Sequence, residues 1–193
     1  MTNTPPDLLL LGRVLSFASD PFAGPPENAA RIDSAVLIRD GRIAAVGDAT
    51  TLRAAHPQAR INDHGNHLIS AGFVDAHMHY PQTRIIASWG KRLVDWLNTY
   101  TFHEEMRFGD RTYADAIASE TLNLALAHGT TTLTSFCTIH PGSVDAFFEA
   151  AAARNMAVIA GKTCMDRNAP DGLRDTAQSA YDDSKALLDK WHG

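Results

Sequence analysis

At 193 residues with 45% hydrophobic side chains, the chain can form one sizeable domain or two small ones, and wholesale disorder is excluded. A formal charge of −5, with Lys and Arg scattered, excludes a nucleic-acid-binding stripe. Cys137 and Cys164 imply no disulfide framework, no segment approaches the length of a membrane span, and the Leu8–Leu11 run is too short for a signal-peptide core. A soluble cytoplasmic protein that engages neither nucleic acid nor membrane is the expectation.

In chain order, residues 7–18 (DLLLLGRVLSFA) read as a strand bent at Gly12, and residues 19–34, rich in Pro, Gly and Ala, as a loop. Residues 35–48 carry the strongest hairpin signal, two apolar runs around Asp40-Gly41, a favoured two-residue turn. A short helical turn follows at 51–55, and the polar residues 61–67 lead back toward the core. Residues 1–66 are therefore expected to form a small N-terminal antiparallel β unit.

From His67 the pattern becomes strand, then helix, repeatedly. Residues 67–77 read as a first buried strand, and 91–100 as a helix with Leu93, Trp96, Leu97 and Tyr100 at helical spacing. A longer helix is predicted over 110–128, with Gly129 as its stop signal. The β-branched run Thr130–Thr138 predicts a second strand, 143–155 a helix, 158–165 a third strand, and 175–191 a last helix. Such alternation implies an α/β fold with a parallel sheet covered by helices. Two forms stay open: an open three-stranded domain, or the first part of a (β/α)8 TIM-type barrel. A closed barrel takes about 250 residues, so 67–193 would hold less than half of one.

The segment Gly72-Phe73-Val74-Asp75-Ala76-His77-Met78-His79 carries the most chemistry. Alternate side chains of a strand share a face, which places Asp75, His77 and His79 together. Two imidazoles on one rigid face can bind one metal ion, and imidazole nitrogen suits zinc or iron. The spacing alone fits equally well two histidines that merely alternate. The zinc design of cytidine deaminases, with His-x-Glu and Pro-Cys-x-x-Cys, is absent.

A small β unit followed by a strand ending in GFVDAHMH resembles the amidohydrolase superfamily of metal-dependent barrels. His79-Tyr80-Pro81-Gln82-Thr83, the LVDWLNTYTF run at 93–102, GTTT at 129–132 and GKTCMDRNAP at 161–170 resemble its guanine deaminases in particular. The resemblance runs over nearly the whole chain, and WLNTYTF together with MDRNAP is far more specific than His-x-His. It implies hydrolytic deamination of guanine to xanthine and ammonia. It also implies zinc, ahead of iron, at one ion per complete site, and a homodimer for the full-length enzyme.

Residue by residue, the resemblance makes His77 and His79 metal ligands, has Gln82 hydrogen-bond the purine, and puts Trp96 and Leu97 in the wall of the base pocket. Each has a plainer reading: Gln82 as a loop amide, Trp96 and Leu97 as the buried side of a helix. His140, Asp166 and Asn168 stand near the strand ends without an assigned role. No residue of this chain matches the family's acid and base or its further metal ligands, which belong to later strands. The β unit matches part of a β-sandwich. An incomplete N-terminal portion, inactive in isolation, is therefore the expectation. The alternatives are another amidohydrolase deaminase of an azaheterocycle, and a non-catalytic remnant or one half of a split enzyme.

Overall fold

The computed structural model describes residues 6–192, which divide into two compact units, one up to Ala71 and the other from Gly72. No helix among the described residues is long and apolar enough to cross a membrane.

The first unit holds β1 (Leu8–Phe17), a short helix α1 (Pro26–Ala29), β2 (Ala30–Arg39), β3 (Arg42–Gly47), α2 (Ala49–Ala55) and β4 (Arg60–Ser70). Its sheet runs β3-β2-β1-β4. The Asp40-Gly41 turn closes the β2–β3 hairpin with both φ angles positive, 50° and 73°, as a two-residue turn of matching twist requires. Leu9, Leu11, Ala35 and Leu37 make a small core against Leu52 of α2, and Asp48 caps that helix by accepting the Thr51 N–H. The β1 register shifts beside Gly12, where a side chain would meet Ile69 at 2.8 Å.

Four expectations for this region need correction. Half of the expected loop over 19–34 is structured, because Ala30–Asp33 pair with Phe17–Val14 of β1. The polar run 61–67 is itself strand, since ladder hydrogen bonds come from backbone and tolerate Asn62, Asp63 and His64 at an edge. β4 lies parallel to β1, so the unit is mixed and not purely antiparallel. The expected division between residues 66 and 67 falls inside β4.

The second unit contains β5 (Phe73–His79), a 3-10 segment (Tyr80–Ile85), α3 (Leu93–Trp96), a π-helical turn (Leu97–Thr101), α4 (Phe102–Met106), a second 3-10 turn (Arg107–Gly109), α5 (Arg111–Ala127), β6 (Thr130–Phe136), α6 (Pro141–Ala152), β7 (Ala157–Gly161) and α7 (Ala177–Trp191). The three strands are parallel in the order β5-β6-β7. Asp110 caps α5 through the Thr112 N–H, and Gly129 takes a left-handed conformation just past its end. Tyr80, Phe108, Ile117, Leu122, Leu133, Val144 and Phe147 form the core. Tyr80 is fully buried: its ring stacks on Phe147 at 4.7 Å, and its hydroxyl donates to the Ser143 carbonyl at 2.6 Å. The chain immediately after His79 is thereby anchored.

The buried strand expected over 67–77 is split: residues 67–70 end β4 and Phe73–His79 form β5, which is not buried. Among the described residues β5 pairs on one side only, and Phe73 and Val74 are 63% and 67% exposed. Phe136 and Ile159 on the neighbouring strands are also exposed. The helix expected over 91–100 starts at Leu93, with Leu93 and Val94 at the surface, and continues through the π turn to Met106. Open apolar strands of this kind favour association. The chain is expected to rise in weight-average mass with concentration in sedimentation equilibrium. A concentration-independent monomer would contradict this.

Candidate functional site

His77 and His79 close β5. The β5–β6 register slips between Asp75 and Met78, so one strand takes up an extra residue there. Asp75 spans the slip by accepting the His77 backbone N–H at 3.1 Å. The two imidazole centroids lie 5.3 Å apart at an interplanar angle of 78°, and both rings contact Phe136, at 5.6 Å for His77 and 5.0 Å for His79. Burial holds His79 below the ordinary imidazole range, and His77 pushes the same way. The neutral ring is the form that ligates metal. Among the described residues no group of three or more His, Cys, Asp or Glu is arranged to hold a metal ion. A catalytic zinc generally takes three protein ligands, so these two imidazoles suit part of such a donor set.

The 3-10 segment carries Gln82 toward a cleft of about 290 Å³ lined by Met78, His79, Gln82, Thr83, Ile86 and Trp96 among others. Gln82 Nε2 donates to Glu105 Oε1 at 3.1 Å. Trp96 is fixed from two sides. Its indole N–H donates to the Ser88 carbonyl at 3.1 Å, and its Cβ sits where a side chain at Gly90 would come within 2.6 Å. The structure therefore gathers His79, Gln82 and Trp96 about one cleft, with His77 beside His79. Leu97 lies half-buried in the π turn and is not on the cleft wall.

Three features were not foreseen from sequence. Phe136 supports both imidazoles. Glu105 is 5% exposed and holds the Gln82 amide, with its carboxyl raised by burial and partly lowered again by that amide. Lys162, just past β7, pairs with Asp175 at 2.9 Å, both side chains buried. For Glu105 a signal existed: it stands beside Glu104 among Phe102, Met106 and Phe108, and a carboxylate turned inward with such neighbours must find a partner. Asp166 and Asn168 are exposed, and Asn168 takes a left-handed φ of 55°.

His140 caps the start of α6 by position, with Nε2 buried and without a hydrogen-bond partner among the described residues. Burial lowers its pKa, with Asp175 raising and Lys162 lowering it further. Below the ordinary histidine value of about 6.5 the unfolded chain then binds a proton that the folded chain resists. The stability contributed by neutral His140 is thus present above that value and lost as pH falls through it. In metal-free urea unfolding, the midpoint is expected to drop between pH 7.5 and 5.5. His140→Gln is expected to flatten the slope, and an unchanged slope would exclude His140 as its source.

Comparison with known proteins extends this picture. Residues 68–192 match the amidohydrolase family, and residues 35–59 match the imidazolonepropionase-like composite domain of bacteria. Guanine deaminase of Escherichia coli K12 is 45% identical over 161 residues, covering 83% of this chain and 37% of that protein. The crystal structure of guanine deaminase from Bradyrhizobium japonicum superposes with a TM-score of 0.89 at 36% identity, covering 97% of this chain and 42% of that one. A C. acetobutylicum guanine deaminase with bound guanine in the active site superposes at 0.80 with 26% identity, covering 96% and 43%. The chain spans about two-fifths of the length of these relatives. The parallel sheet with its covering helices matches part of their barrel, and no closed barrel is present among the described residues. With paired histidines closing the first parallel strand and the family match running from β4 to the end of α7, the chain belongs to the amidohydrolase family.

Proposed function

We propose that this chain contributes the metal-gripping and base-orienting part of a guanine deaminase, which hydrolyses guanine to xanthine and ammonia. The observation that carries the reading is the cleft shared by His79, Gln82 and Trp96, in a chain 45% identical to the E. coli enzyme. His77 and His79 would hold a zinc ion, and the lowered pKa of His79 keeps that imidazole ready to ligate at neutral pH. When bound, zinc supplies Lewis acidity and lowers the pKa of water. Gln82 presents an amide to the base and Trp96 an aromatic wall, which together set the approach of the reacting carbon. The acid and base of the reaction are not assigned to this chain. On this reading the residues from Gly72 onward are the first strands and helices of the barrel, and those before it belong to a β-sandwich. The setting implied by the family is a cytoplasmic homodimer.

Calorimetric titration of the zinc-loaded chain tests the assignment. Guanine is expected to bind in preference to cytosine and to a chlorinated triazine, and Gln82→Ala is expected to remove that preference. Equal or reversed preference would overturn it.

A further inference from the structure

We infer that Glu105 is a positioning residue that fixes which way round the Gln82 amide faces the cleft. This rests on the reading of Gln82 as a base-binding group. A side-chain amide and its flipped form have the same shape, so packing cannot choose between them and only hydrogen-bond partners can. A carboxylate accepts and never donates, and the amide N–H of Gln82 favours that charged form against the burial that opposes it. With Gln82 Nε2 donating to Glu105 Oε1 at 3.1 Å, the flipped amide would set oxygen against carboxylate oxygen in a buried site. The orientation observed leaves the Gln82 carbonyl oxygen and one N–H for the cleft. An acceptor and a donor in fixed order complement a heterocycle edge that offers a donor beside an acceptor.

The surroundings of Glu105 argue that this contact is more than filling. The neighbouring Glu104 is also buried, yet it is matched by Arg107 at 3.1 Å and by the Tyr113 hydroxyl. Glu105 has no such cation: among the described residues its side-chain partner is the neutral amide of Gln82. A buried carboxylate without a counter-charge is an expensive way to occupy space that a leucine would fill more stably. The π turn Leu97–Thr101 directly precedes α4, and its altered winding lies just ahead of the two consecutive acids that point inward.

The test is the NMR signature of the Gln82 side-chain amide in the nitrogen-15-labelled 193-residue chain, identified by its loss in Gln82→Ala. One orientation is expected in the unaltered protein, with the two amide protons widely separated and one of them slow to exchange. Glu105→Gln keeps the volume and an acceptor but permits the flip, and is expected to give two Gln82 environments. Glu105→Leu is expected to narrow the separation to that of a free amide. Gln82 signals identical in all three proteins would overturn the inference. Guanine titration is the second arm, with a roughly tenfold loss expected in Glu105→Leu, the weight of one hydrogen bond, and a smaller loss in Glu105→Gln. If the unaltered chain shows the amide signature and binds no guanine, the purine assignment falls while the role of Glu105 stands. Guanine binding without the signature has the reverse meaning.

Discussion

Lys162→Met is expected to destabilise the chain by about 3–5 kcal/mol, the usual result of stripping one partner from a buried ion pair. Lys162 and Asp175 side chains are 1% and 7% exposed, with Nζ 2.9 Å from Oδ2. The removal would leave a carboxylate in the interior with only the Met165 N–H at 3.3 Å to satisfy the same oxygen. The pair also closes a loop. Asp175 N–H donates to the Met165 carbonyl at 2.8 Å, so the segment between β7 and α7 is clasped at its base. The double variant Lys162→Met, Asp175→Leu removes both charges together and is expected to recover most of the loss, because packed apolar groups often replace a buried pair at no penalty. Urea unfolding of the two single variants and the double one measures the effect. A Lys162→Met loss under about 1 kcal/mol would show that the carboxylate finds water or another partner.

The second large effect concerns metal. The chain is expected to bind zinc weakly, because the described residues offer two imidazoles where a catalytic ion generally takes three protein ligands. His77→Ala and His79→Ala are each expected to lower zinc affinity by roughly 10–100-fold or more, since even groups that merely orient a ligand are worth that much. Competition against a chromogenic chelator gives the affinities. Under the same reading the isolated 193-residue chain releases no ammonia from guanine, whereas its relatives, of which it spans two-fifths, carry the name guanine deaminase. Turnover near about 10 s⁻¹, ordinary for an enzyme, would refute the proposed division of the site. Zinc affinity unchanged by either alanine variant would move the metal elsewhere.

The parts of the fold that were legible in sequence are those written in local rules. Asp40-Gly41 announces its turn because both residues tolerate the positive φ it requires, and α5 is bracketed by a capping Asp110 and a stopping Gly129. The first part of β4 was hidden because its side chains are polar, while what makes it a strand is the ladder its backbone forms with β1, about fifty residues away in sequence. The paired histidines were visible, but the register slip that Asp75 bridges was not, since a bulge depends on the neighbouring strand. Gln82 was a candidate from resemblance. Its bond to Glu105 joins residues 23 apart, and no local pattern encodes that distance. The exposure of Phe73 and Val74 was likewise illegible, because apolar composition says a surface wants cover and not whether it has it.

Tyr80 follows His79 by a single peptide, and its ring is wedged between Phe147 and Phe108. Loosening that aromatic stack is therefore expected to shift the neighbouring imidazole. In many proteins robustness and function pull against each other. On the proposed reading of His79 as a zinc ligand the two would be yoked: substitutions that tighten the interior around Tyr80 would steady that imidazole as well.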